Sequence, residues 1–292
     1  MISRRTFLAG SAALTVLAAC GGDDGGGGTS ATTTTEAPVI PTVFGAGFAD
    51  GYAAKTALVA GIPQRAPFVA LSDIGAVARG DEAPASVDVA ILLNGAAVTT
   101  LTVPRHDAGI PTPYYPVVFT PPAPGDYTVK ASFAAKATPF KVAAPTDLTL
   151  LQVGQSMRPV VTPTTADTRG VTPICTRAQP CPFHAVTLAD ALAAAKPVVL
   201  IVSTPGYCQT AICGPVLELL IEASAAHPDA TFVHAEVYQN PQSGKLDTTE
   251  IITAYGLSYE PALFVADAAG VLKARLDFSW DRTELDAALA TV

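Results

Sequence analysis

The chain has 292 residues, 49% of them hydrophobic, and a formal net charge of −8. It carries no basic run or stripe, which argues against nucleic acid as a partner. About 255 residues follow the low-complexity N-terminal stretch, enough by length for two ordinary domains.

Residues 1–19 read as an address, a signal peptide. Ser3-Arg4-Arg5-Thr6-Phe7-Leu8 is a twin-arginine export pattern, and the apolar run from Phe7 to Ala19 is too short to span a bilayer as a stable helix. Leu17-Ala18-Ala19-Cys20 resembles the bacterial lipobox. That resemblance implies cleavage before Cys20 and a lipid on its sulfur. It places the protein at the outer face of the bacterial cytoplasmic membrane, anchored by acyl chains. An ordinary signal peptide is the alternative. Loss of Arg4 and Arg5 would take the formal charge from −8 to −10. Residues 20–37, mostly glycine, aspartate and threonine, are expected to form a lipidated disordered tether.

Residues 38–145 are rich in valine, threonine, proline and glycine and show no helical period. Ser86 to Leu92 and Ala97 to Val103 flank Asn94-Gly95, a hairpin signal because both residues tolerate positive φ. Pro122 to Asp126 turns into the strand Tyr127 to Phe133, and Pro139 to Val142 is a candidate neighbour. Short strands between Pro/Gly turns predict an antiparallel β-sandwich. The Pro-Gly-Asp-Tyr-Thr-Val stretch resembles immunoglobulin-like domains, which implies a spacer or interaction module. His106, between Arg105 and Asp107, reads as an exposed loop histidine.

Residues 146–184 are irregular and proline-bearing, a linker. With Cys20 set aside, four cysteines remain in two close pairs, Cys175/Cys181 and Cys208/Cys213. Three connectivities exist; local pairing is the simplest, and cross-pairing stays open. A Cys175–Cys181 disulfide would pin the linker as a structural staple. A second redox pair or a metal site with His184 is the competing reading, but two cysteines and one histidine fall short of a closed zinc set. No metal or cofactor is assigned from the sequence, and His184 is read as a packing residue.

Residues 185–292 alternate: a helix from Leu188 to Ala195, a strand from Val198 to Ser203, then a helix opened by Cys208 and Cys213. Strand Thr231 to Val237, a helix ending at Tyr255, strands Ala262 to Val265 and Val271 to Phe278, and a helix capped by Asp281 complete a mixed α/β pattern. A cysteine at a helix N-terminus titrates low, because unpaired N–H groups and the dipole favour the thiolate. Residues i and i+5 of an ideal helix lie about 8–9 Å apart at Cα, too far for a disulfide. A Cys208–Cys213 bond therefore requires Cys208 outside regular helix.

This half resembles the thioredoxin superfamily. The likeness rests on Lys-Pro-Val-Val-Leu before the cysteine loop, Tyr207-Cys208, Tyr238-Gln239-Asn240-Pro241, Tyr255-Gly256-Leu257 and the Pro-Ala-Leu-Phe segment at Pro261. It implies a multidomain chain ending in an α/β thioredoxin-like domain, with Cys208 attacking, Cys213 resolving, a cis Pro261 shaping the substrate groove and His234 tuning protonation. The departures are Cys-x-x-x-x-Cys for Cys-x-x-Cys, Val202 where the family keeps a buried acid, and Glu260 before the proline, where a carboxylate raises a nearby thiol's pKa. The cysteine spacing also resembles the peroxiredoxin subgroup with two cysteines on one helix, although Tyr207 puts its threonine out of step and its arginine has no counterpart.

The leading expectation is a membrane-anchored thiol–disulfide oxidoreductase whose partners are extracytoplasmic protein thiols or a membrane electron donor. Three readings compete: a non-enzymatic interaction protein with structural disulfides, a thiol peroxidase, and copper handling through Cys208 and Cys213.

Overall fold

The computed structural model describes residues 38–47, 57–208 and 211–292. The signal peptide, Cys20 and the tether lie outside them. Residues 38–292 form one compact unit. No helix among the described residues is long and apolar enough to cross a membrane.

The N-terminal half contributes β1 (Val43–Ala46), β2 (Leu58–Val59), β3 (Gln64–Leu71), β4 (Ser86–Leu93), β5 (Ala96–Pro104), β6 (Tyr115–Phe119), β7 (Gly125–Ala131) and β8 (Thr138–Ala143). They form a three-stranded sheet, β1-β3-β6, and a five-stranded sheet, β2-β8-β7-β4-β5. Alternation sets which side faces inward. Val87, Val89 and Ile91 of β4 and Tyr127, Val129 and Ala131 of β7 are buried, while Ser86 and Asp88 are exposed. Phe68 of β3 meets Phe140 of β8, and Phe119 of β6 meets Tyr127 of β7, so the two sheets share a core in a sandwich-like arrangement. The β4–β5 turn has positive φ at Asn94 (49°) and Gly95 (84°), as that hairpin requires.

The three-stranded sheet was not legible. No strand is expected from the sequence over the Pro/Tyr-rich stretch Pro111 to Pro116, yet β6 begins at Tyr115 and pairs with β3, Pro67 standing opposite Pro116. Neither residue has an N–H, so the pair cannot exchange ladder hydrogen bonds and must occupy a non-hydrogen-bonded position. The Pro67 carbonyl instead faces the other neighbour and accepts from the Gly47 N–H at 2.8 Å.

The C-terminal half contributes α1 (Leu188–Ala193), β9 (Val198–Val202), α2 (Cys213–Ser224), β10 (Thr231–Ala235), α3 (Glu250–Tyr255), β11 (Ala262–Ala266), β12 (Leu272–Asp277) and α4 (Arg282–Leu289). The sheet order is β10-β9-β11-β12, with β10 parallel to β9 and the other pairs antiparallel. Strand β9 is wholly buried because both faces are covered. Val198, Leu200 and Val202 join Leu188, Ile251 and Tyr255 from α1 and α3. Val199 and Ile201 join Val216, Leu217, Leu220, Leu285 and Leu289 from α2 and α4.

The halves dock through polar contacts. Arg65 of β3 pairs with Glu284 of α4 and donates to the Asp277 carbonyl at 2.9 Å. The Tyr114 hydroxyl donates to Glu284 and accepts from the Asp281 N–H at 2.9 Å. His106, expected as an exposed loop residue, is half-buried and sits 3.0 Å from the Asp281 carboxylate. Asp281 also caps α4 through the Glu284 N–H at 3.0 Å.

Residues 146–184 have little regular structure but are well bonded. Leu272 donates to Gln155 O at 2.9 Å, and Met157 to Gly270 O at 2.8 Å. The later part covers β10, an edge strand: His234 donates to Phe183 O at 2.9 Å and Thr172 to Gln239 O at 2.8 Å.

Candidate functional site

Two sulfur sites flank the end of β9. The strand carries the chain to Ser203-Thr204, a turn closes with Tyr207 N–H on Thr204 O at 3.0 Å, and Cys208 follows. Cys208 and Cys213 are disulfide-bonded with Cα atoms 6.0 Å apart. This separation is reached because α2 begins at Cys213, leaving Cys208 outside the helix. Residues 209–210 lie outside the described residues, and Ala211 has a φ of 55°.

The two sulfurs differ in surroundings. Cys208 is half-buried beside exposed Tyr207, whereas Cys213 is fully buried. The Cys213 N–H, at the start of α2, points at Cys208 Sγ from 3.4 Å. Cys213 Sγ lies 3.5 Å from Glu260 Oε2. Glu260 accepts from the Thr204 N–H at 2.5 Å and precedes Pro261, to which it is joined by a cis peptide bond. Burial pushes the Glu260 carboxyl up to about 7, against the lowering hydrogen bond from Thr204.

The second site is the Cys175/Cys181 pair, expected as a disulfide; both are free, buried cysteines. The Cys181 N–H points at Cys175 Sγ from 3.4 Å. Cys181 Sγ is 3.3 Å from His184 Nε2 and 3.3 Å from His234 Nδ1, and Cys175 Sγ is 3.8 Å from His234 Nδ1. Both histidines are buried. The hydrogen bond with Cys181 is the main influence holding the Cys175 thiol below its usual range, with His184 and His234 acting the same way against burial. The same hydrogen bond and burial push the Cys181 thiol up. Burial raises the neighbouring Glu236 carboxyl to about 7, opposed by His234 and by hydrogen bonds from Thr176.

The sites touch through two short links. The Thr176 N–H donates to Glu236 at 2.6 Å, and the Gly206 N–H donates to Thr176 Oγ1 at 3.0 Å. Thr204 Oγ1 accepts from the Val237 N–H at 2.9 Å. A second group, His106, Asp281 and Glu284, also brings ligand-type atoms together, but its carboxylates are already engaged by Arg65, Tyr114 and the α4 cap.

Cys213 faces Glu260, the residue joined to Pro261, and Cys208 is bonded to Cys213 from outside α2. His234, expected beside them, turns its ring to Cys175 and Cys181. The pairing of His184 with His234 had no sequence signal, since fifty residues separate them and only the sheet-edge bond at Phe183 brings them together. Compared with known proteins, the chain matches no family model, no curated protein and no solved structure.

Proposed function

We propose that the chain is a membrane-tethered thiol–disulfide oxidoreductase, with residues 185–292 a thioredoxin-like domain and residues 38–145 an immunoglobulin-like spacer or interaction module. The observation that carries the reading is the asymmetry of the Cys208–Cys213 bond: one sulfur half-buried before a helix N-terminus, the other sealed against a carboxyl group. The sheet order β10-β9-β11-β12, with one parallel pair and a terminal hairpin, supports the domain assignment. A tyrosine-corner bond, Tyr127 hydroxyl to Ala123 O at 2.7 Å, supports the immunoglobulin-like one. The tether rests on the leader and Cys20.

The chemistry balances as thiol–disulfide exchange. A substrate thiolate attacks Cys208 Sγ; a mixed disulfide forms and the Cys208–Cys213 bond breaks. Cys213 leaves as a thiolate and takes a proton from Glu260, whose carboxyl near 7 is partly protonated at neutral pH. A second substrate thiolate then attacks the substrate sulfur of the mixed disulfide and releases Cys208 as a thiolate, which the Cys213 N–H faces. In the reverse direction Cys208 is the attacking group. Partners are extracytoplasmic protein thiols or a membrane electron donor.

The test is a redox titration of Cys208/Cys213 read by thiol alkylation and mass spectrometry. A potential between about −120 and −270 mV supports exchange, and one below about −300 mV replaces the catalyst with a structural staple. Cys213→Ser should trap mixed disulfides through Cys208, and Cys208→Ser should trap none.

A further inference from the structure

We infer that Cys175, Cys181, His184 and His234 form a closed, tetrahedral binding site for a zinc ion. One ligand atom from each of the four lies within 4.8 Å of the other three, and all four residues are buried. A tetrahedral ion with Zn–S of about 2.3 Å and Zn–N of about 2.0–2.1 Å sets its sulfur and nitrogen ligands roughly 3.5 Å apart. Three of the four sulfur–nitrogen separations here are 3.3, 3.3 and 3.8 Å. They match three edges of such a tetrahedron.

The ring orientation points the same way. His234 Nε2 lies 3.0 Å from Ser203 O and 3.1 Å from Ser203 Oγ; the carbonyl only accepts and the hydroxyl can accept too, so Nε2 carries the proton. In the neutral ring that a metal ligand requires, Nδ1 then presents its lone pair to the two sulfurs. A ligating histidine is held in this way by a backbone carbonyl on its far nitrogen. Among the described residues His184 has no hydrogen-bond partner at Nδ1, and it is 2% exposed, so its polar engagement there lies on the Nε2 side, toward Cys181. A Cys175–Cys181 disulfide would leave both imidazoles buried without the thiolates they face, a costly arrangement.

Two thiolates and two imidazoles suit four-coordinate zinc. Four protein ligands leave no open position, so the site is structural. Three ligands come from the stretch 175–184 and the fourth from β10, so the ion would fasten a segment without helix or strand to a sheet edge. In such sites metal affinity is expressed as stability.

The full chain, purified under reducing, chelator-free conditions, should contain one equivalent of zinc by elemental mass spectrometry. Exchange with Co²⁺ should give the visible ligand-field bands of a tetrahedral site and thiolate-to-metal charge transfer. The double variant Cys175→Ser/Cys181→Ser should lose the equivalent of metal, and His234→Gln should lower retention at least tenfold. In the wild-type chain, which avoids any folding defect of the variants, Cys175 and Cys181 should resist alkylation until zinc is chelated. Cys208→Ser/Cys213→Ser should keep full zinc content, which separates this site from the exchange chemistry. A Cys175–Cys181 disulfide in a metal-free native protein overturns the inference, as does copper held in preference to zinc at the same four residues.

Discussion

Ser203 O accepts from His234 Nε2 at 3.0 Å, and the next residue, Thr204, donates its N–H to Glu260. One peptide link at the end of β9 therefore separates the group that orients the Cys175/Cys181 cluster from the group that faces Cys213. Because β9 is buried on both faces, this junction has little freedom to shift.

The first prediction concerns the order in which thiols react. After mild reduction, Cys208 should be alkylated at least about tenfold faster than Cys213, because accessibility and thiolate character both favour it. The reasons are the half-buried position of Cys208 before α2 and the complete burial of Cys213 against Glu260. Quenched alkylation with peptide mass spectrometry measures both rates, and equal rates would remove the distinction between an attacking and a resolving sulfur.

Glu260 predicts a pH dependence of stability. Its carboxyl is raised from 4.5 to about 7 in the folded state, chiefly by burial. Between those values the folded chain keeps a proton that the unfolded chain has released, so the contribution is fully present below 4.5 and is lost as pH rises through about 7. Discounted for partial exposure, the effect is on the order of 2 kcal/mol. Glu260→Gln keeps an acceptor for the Thr204 N–H and removes the titration. Urea midpoints of variant and wild type should diverge as pH rises across this window; parallel curves would contradict the assignment.

Arg65 and Glu284 predict that the two halves unfold together. Their side chains are 11% and 14% exposed, and both lie in a polar junction with Tyr114 and Asp281. Arg65→Ala leaves the Glu284 carboxylate poorly compensated, at a cost of about 3 kcal/mol. The fluorescence of Trp280, buried in the α/β half, and far-UV circular dichroism of the whole chain should report one shared, lowered transition. Two separated transitions in the wild type would show that the halves unfold independently.

The α/β half was readable because its signals are local and mutually consistent. Apolar runs gave β9 and β11, Asp281 followed by Glu284 gave the start of α4, and Cys213 stands at the beginning of α2, with Cys208 before it. Strand β6 was hidden by prolines whose cost vanishes only once Pro67 is known to stand opposite Pro116. The Cys/His cluster was hidden for another reason. Its fourth member, His234, belongs to a strand distant in sequence and was expected at the redox loop, whereas the Ser203 carbonyl fixes its ring toward Cys175 and Cys181.

Gly206 gives the last prediction. A Cβ built there would meet the Thr176 carbonyl oxygen at 2.8 Å and Thr176 Cβ at 3.2 Å. Backbone cannot yield as a side-chain tip does, so Gly206→Ala must push the loop away from Thr176 and break the Gly206 N–H bond to Thr176 Oγ1. That bond is worth about 1 kcal/mol. Displacement should expose Cys208 further, so its alkylation in the reduced protein should become several-fold faster while the urea midpoint falls correspondingly. Cys175 neighbours Thr176, so protection of the Cys175/Cys181 thiols should also weaken if the two sites are coupled at this contact. A variant with wild-type Cys208 reactivity and stability would show that the loop tolerates the methyl group and that Thr176 does not set the position of Cys208.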